Sequence, residues 1–162
     1  MTITDQPRSR ALVTGASSGI GAAFAERLAR DQVDLIVVAR RRDRLEAVAQ
    51  RLEDTYRIRV EVLAADLARS DELRAVEQRI SEDTALEFLI NNAGFGGYMP
   101  FTALEPDRAE ELIAVQVTAV TRLTRAALPG MITRGHGSII NVSSRLAFTG
   151  SLASPPLPKR AV

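Results

Sequence analysis

The chain is 162 residues long, 46% hydrophobic and 25% charged, with 21 basic against 20 acidic side chains. These proportions fit one ordinary globular domain and exclude a collagen, a coiled coil or a disordered chain. Charge is even along the chain, 14 arginines against 13 acids in residues 1–80 and seven of each sign in residues 81–162, so neither a nucleic-acid footprint nor a polybasic membrane patch is expected.

With no cysteine and a single histidine, His136, the chain has neither a disulfide framework nor the makings of a Cys- or His-based metal site, and no metal is expected. The stretch from Met1 to Arg10 is polar, and no window approaches ~18 uncharged apolar residues, so neither a signal peptide nor a transmembrane helix is expected. The chain reads as soluble and cytoplasmic, without nucleic-acid or membrane partners. Twenty of the 21 basic residues are arginine and the only lysine is Lys159.

Apolar runs rich in Val, Ile and Leu alternate with segments of helical spacing, the pattern of a parallel α/β sheet. A first strand at 11–13 leads into a Gly-rich turn and then Ile20, Ala23, Phe24 and Leu28, spaced as one helix face. A second strand follows at 34–39, and Leu45, Val48, Ala49 and Leu52 mark an amphipathic helix with Asp43 as its expected N-cap. The third strand is expected at 59–64, and Asp71 as the cap of a helix over 73–80. A fourth strand at 88–92 runs into Ala93-Gly94-Phe95-Gly96-Gly97. A long helical stretch with room for one break occupies about 107–128, punctuated by Pro129-Gly130. A fifth strand at 138–142 delivers Ser143 and Ser144. These elements give one domain over 10–150, between an N-terminal tail over 1–9 and an irregular Pro-rich tail over 151–162.

The first strand ends in Thr14-Gly15-Ala16-Ser17-Ser18-Gly19-Ile20-Gly21. Gly15 lets the chain turn off the strand, Gly19 removes a Cβ where a pyrophosphate could approach, and Gly21 allows close helix–strand packing. The helix N-terminus presents N–H groups to phosphate, and Ser17 and Ser18 add hydroxyls. The alternative is that these glycines serve backbone geometry alone.

This segment resembles the classical short-chain dehydrogenases/reductases. Asn91-Asn92-Ala93-Gly94 matches that family's second hallmark, and Asp66-Leu67 and residues 137–144 extend the match over about residues 10–150. The resemblance implies an α/β, Rossmann-like, doubly wound parallel sheet of five strands in the order 3-2-1-4-5. It also implies a nicotinamide cofactor lying across the strand ends. By that resemblance the backbone from Gly15 to Gly21, Ile20 included, with Ser17 and Ser18, lies near the phosphates. Asp66 and Leu67 lie against the adenine, and Asn92, Ala93 and Gly94 floor the site near the ribose.

At the end of the second strand Ala39 stands where an acidic residue would hold a ribose 2′-hydroxyl, and Arg40 and Arg41 follow. A guanidinium can grip a phosphate as a fork, so NADP(H) is expected rather than NAD(H), with Arg40 and Arg41 as the clamp. The alternative is that this arginine run is the solvated start of a helix.

Of the family's four catalytic groups the chain keeps one. Ser144 matches the serine that holds the substrate oxygen, with a strand-end capping serine as the alternative, and Gln116 stands where the long-helix asparagine is expected. The family's Tyr-x-x-x-Lys, in which a nearby ammonium favours the phenolate of an acid/base tyrosine, has no counterpart. The only tyrosines are Tyr56 and Tyr98, and Pro155 stands four residues before Lys159. The expected activity is hydride transfer between NADP(H) and a small carbonyl or alcohol substrate, impaired by this loss. The other expectation is a non-catalytic cofactor- or partner-binding fragment.

The family's last elements, and with them most of its homo-oligomer interface, are expected to be missing, and the ending reads as a premature or frame-shifted terminus. Reading the gene past its stop tests this: the expectation fails if no frame-shifted Tyr-x-x-x-Lys appears. Produced alone, the chain is expected to be marginally stable or to aggregate, and a cooperative melt of a soluble monomer overturns that expectation.

Overall fold

The computed structural model describes residues 8–96 and 101–144. The expectations for most of the N-terminal tail, for Tyr98, and for everything beyond Ser144, Lys159 included, lie outside the described residues. Five strands, β1 (Arg10–Thr14), β2 (Asp34–Ala39), β3 (Val60–Ala64), β4 (Leu86–Asn91) and β5 (Ser138–Asn141), form one parallel sheet in the order β3-β2-β1-β4-β5. Each strand end agrees with the expected one to within two residues.

Parallel strands covered on both faces must be apolar on both, which is why β1 and β2 read as unbroken Ala/Leu/Val/Ile runs. Ala11, Val13, Leu35, Val37 and Ile90 point to one face, where α1 (Gly19–Arg30) and α2 (Arg42–Tyr56) pack through Ala25, Ala29, Leu45 and Leu52. Leu12, Ile36, Val38 and Leu89 point to the other, covered by α3 (Ser70–Ser81) and α5 (Val120–Arg134) through Leu73, Val76, Ile80, Leu123 and Ala127. This two-sided arrangement is the expected doubly wound sheet. Among the described residues β5 pairs with β4 alone, and its Ile140 is 40% exposed.

Several local expectations are corrected. Asp43 and Asp71 are not caps: the N-caps are Arg41 and Arg69, and each aspartate sits in the first turn, where a carboxylate still favours the positive helix end. Ile20 faces away from the core at 60% exposure and Ala23 is exposed too; the buried stripe of α1 is Gly21, Ala25 and Ala29, with Phe24 and Leu28 half-buried against the same core as expected. The long helix does not break: α4 (Pro106–Ile113) continues through a π-helical stretch, Ala114–Ala119, into α5. Pro129 does not end it either, because this exposed position leaves the carbonyl lacking an N–H partner on the solvent side. The stop comes at Gly135, in the left-handed region at φ 75°.

One buried charge ties the bottom of the sheet. Asp83, its side chain 1% exposed, accepts from Arg10 Nη1 at 2.5 Å and from Arg79 Nη1 at 2.8 Å, and its Oδ1 accepts from the Ala85 N–H at 2.9 Å. Burial pushes this carboxyl's pKa up, but the Arg10 contact, the Ala85 N–H and Arg79 outweigh it, and the net direction is down. A depressed folded-state pKa contributes stability that is present above the unfolded value near ~3.9 and lost as pH falls through the folded one. Asp83→Asn is therefore expected to cost about 2 kcal/mol at pH 7, below the buried-pair range because both arginines reach solvent. In urea unfolding the difference from the parent chain shrinks as the pH drops below ~4.

Candidate functional site

At the carboxyl ends of β1, β2 and β4 the sheet opens into a cleft of about 390 Å³. Its position follows from the strand order: β1 sends its helix to one face and β4 sends its helix to the other, so the loops after them diverge.

Thr14, 1% exposed at the end of β1, holds the two loops in register. Its Oγ1 accepts from the Asn92 and Ala93 N–H groups, both at 2.9 Å, and donates to the Ile90 carbonyl at 3.2 Å. That uses every hydrogen-bonding position of a hydroxyl. Asn92 answers with its side chain, Nδ2 donating to the Thr14 carbonyl at 3.0 Å. Asn91, buried on β4, donates through Nδ2 to Asn141 Oδ1 on β5 at 2.8 Å.

Two glycines of the first turn are required, one by its surroundings and one by its backbone angle. A Cβ on Gly21 would stand 2.3 Å from the Gly15 carbonyl oxygen and 2.5 Å from Asn92 Nδ2, an impossible approach. Gly19 has φ +57°, unfavourable for other residues, and a Cβ there would meet nothing within 4 Å. The turn is therefore packed beneath and open above. Ser18, extended at φ −170°, opens α1 with no side-chain cap, so the first N–H groups of the helix face outward at the cleft edge.

Of the residues singled out from sequence, Gly15, Ser17, Ser18, Arg40, Arg41, Asp66, Leu67, Ala93 and Gly94 all line this cleft. Gly19, Ile20 and Gly21 form the first turn of α1 and Asn92 follows β4, and all four lie outside its lining. Asp66 turns its carboxylate inward: Oδ1 accepts from the Ala68 N–H at 3.0 Å, and its own N–H donates to Glu72 Oε2 at 2.6 Å. Gln116, on the π-helical stretch, donates from Nε2 to the Phe95 carbonyl at 2.8 Å, its extra methylene reaching the loop after β4. Ser144 is exposed beyond β5 and is not among the described residues lining the cleft.

Sequence reasoning missed Phe95 and Val115, which also line the cleft, and the charged rim beside them, where Arg40 pairs with Glu111 and Arg108 stacks on Phe95. Nothing local marks these residues. Val115 looks like any apolar helix position, and its approach to the cleft comes with the π-helical widening, a device common at functional sites.

A parallel doubly wound sheet with a glycine turn under a strand-end cleft defines a dinucleotide-binding type of fold. The family model for short chain dehydrogenases matches residues 9–156, and the chain belongs to that oxidoreductase family. A short-chain dehydrogenase from Sphingobium yanoikuyae, solved in complex with NADPH, is 44% identical with a TM-score of 0.87, the match covering 90% of this chain and 57% of that one. A bulky-bulky ketone specific alcohol dehydrogenase from Comamonas testosteroni is 39% identical with a TM-score of 0.88, covering 91% and 59%. Among curated proteins, the human inactive hydroxysteroid dehydrogenase-like protein 1 is 33% identical over 136 residues, 83% of this chain and 41% of that one. The chain thus spans less than half of that relative. Among the described residues no helix is long and apolar enough to cross a membrane, and no group of acidic or histidine side chains is placed to hold a metal.

The Thr14 hydroxyl gives the sharpest test of this construction. Thr14→Val keeps the shape but leaves the half-buried Asn92 and Ala93 N–H groups without their acceptor, and is expected to lower stability by about 2–3 kcal/mol, whereas Thr14→Ser loses less than about 1.5 kcal/mol. Urea unfolding of both variants checks the ordering.

Proposed function

We propose that this chain binds NADP(H) in the cleft above Thr14 and descends from enzymes transferring hydride between that cofactor and a carbonyl or alcohol carbon. The observation that carries the reading is the joint lining of one cleft by the Ser17-Ser18 turn and by Arg40 and Arg41. The donors suit the charges of the cofactor. Outward N–H groups at the start of α1 and two serine hydroxyls meet a pyrophosphate, and two guanidinium groups at the end of β2 meet a 2′-phosphate. β2 itself carries no carboxylate at its end, where Ala39 stands, and Leu67 with Ala65 offers an apolar wall to the adenine.

When bound, the nicotinamide supplies the hydride. The Ser144 hydroxyl is the group assigned to a substrate oxygen, and Gln116 stays with the Phe95 loop as a support of the wall. These 162 residues hold no Tyr-x-x-x-Lys; hydride transfer served by these residues alone would take its proton from water, with a loss on the order of 10²–10⁴ in rate. The relative whose name marks it inactive favours a second reading, cofactor binding without turnover.

Fluorescence titration with NADPH and NADH tests the binding reading, and turnover with NADPH over a panel of ketones separates slow catalysis from none. The double variant Arg40→Ala, Arg41→Ala is expected to weaken NADPH by about 10- to 100-fold, from loss of two charge-assisted contacts, and to change NADH by less than about threefold. Equal losses for both cofactors, or no binding by the parent chain, overturn it.

A further inference from the structure

The rim of the cleft carries a charged cluster that the proposed function leaves unused. Arg40 Nη1 stands 3.4 Å from Glu111 Oε1, joining the end of β2 to α4. The other oxygen of that carboxylate, Oε2, is 2.5 Å from Arg108 Nη1, three residues earlier on the same helix. The Arg108 guanidinium in turn lies 3.7 Å from the centroid of the Phe95 ring.

The two arginines hold Glu111 differently. Arg108 makes a short contact at helical spacing and is braced on an aromatic face, so it fixes the carboxylate in place. The Arg40 contact is longer than the ~2.7–2.9 Å of a charge-assisted hydrogen bond, and the Arg40 side chain is 59% exposed. Arg40 is therefore the exchangeable partner, and Glu111 keeps its position when Arg40 turns elsewhere.

We propose that Glu111 is a specificity-determining residue, which competes with the cofactor's 2′-phosphate for Arg40 and so restrains affinity for NADP(H) without touching affinity for NAD(H). The inference rests on the reading that Arg40 faces that phosphate. A phosphate monoester drawn to Arg40 brings a charge of about −1.5 to −2 at neutral pH beside a carboxylate that Arg108 prevents from retreating. Like-charge repulsion across the shared guanidinium, screened by water and salt, together with the need to detach Arg40, corresponds to an affinity penalty on the order of five- to tenfold. The neutral 2′-hydroxyl of NAD(H) meets neither cost. Glu111 also stands on a helix with no buried residue, so its replacement leaves the core intact.

Dissociation constants for NADPH, NADH and the fragment 2′,5′-ADP test this on the full chain, measured for the parent, Glu111→Gln, Glu111→Ala, Arg40→Ala and the Arg40→Ala, Glu111→Gln double variant. Glu111→Gln and Glu111→Ala are expected to tighten NADPH and 2′,5′-ADP about five- to tenfold and to leave NADH within about twofold, the gain shrinking at high salt and vanishing once Arg40 is alanine. If Arg40→Ala weakens NADPH selectively while the Glu111 variants weaken it or leave it unchanged, the competition is overturned and the reading of Arg40 stands. If Arg40→Ala affects NADPH and NADH alike, the reading of Arg40 falls, and this inference falls with it.

Discussion

The cleft depends on a single hydroxyl. Thr14 ends β1 inside a largely apolar sheet, and there it meets the two backbone N–H groups by which the chain leaves β4. Two such donors buried without an acceptor would each cost on the order of 1–3 kcal/mol. One side chain satisfies both and returns its own proton to Ile90, so the loops diverge from a common, fully bonded point. The glycine turn follows from that construction. With Asn92 reaching back to the Thr14 carbonyl, the space beside Gly21 is already filled by the Gly15 carbonyl and the Asn92 amide, and α1 can start close to the strand only where a Cβ is missing.

Charge is distributed around this site in two registers. Below the sheet, Asp83 is enclosed and compensated by two arginines and a backbone donor, an arrangement that fixes the start of β1 and the end of α3. On the helix flank, Arg122 is paired with both oxygens of Glu77, joining α5 to α3. At the cleft rim the pairing is looser: Arg40 shares Glu111 with Arg108 across an exposed gap. Tight pairs set architecture in this chain, while a looser, shared one stands where an anionic ligand is proposed to enter.

What could be read from sequence follows physical range. The β2 run was legible to the residue because continuous burial leaves a continuous apolar signal, and the Thr14–Gly21 and Asn91–Gly94 segments were legible through their residue patterns and the family resemblance those carry, although the bonds that fix their geometry run between the two segments. The caps were misread because a first-turn aspartate and an N-cap aspartate both satisfy the same helix-end field, and only the backbone angles of Arg41 and Arg69 separate them. Ile20 fitted a three-and-four spacing, yet the helix is rotated so that glycine and alanine face the strand. Phe95, Arg108 and Glu111 were invisible as a group because what unites them with Arg40 is a contact across 71 residues. The Asp66 carboxylate was assigned by resemblance to a ligand wall, and the fold shows it also bonded into its own turn.

The bond from Asn92 to Thr14 spans 78 residues. Its floor is therefore a long-range object, and no cleft exists until β4 has inserted beside β1. Such a closure is entropically expensive and slow relative to local helix formation. A ligand that needs both loops binds the closed chain and not the open one, and each tenfold rise of its concentration above the dissociation constant adds about 1.4 kcal/mol to the closed state. The same atoms that would recognise a nucleotide thus make its abundance a variable in the folding equilibrium, so the occupied fraction and the folded fraction of this chain rise and fall together.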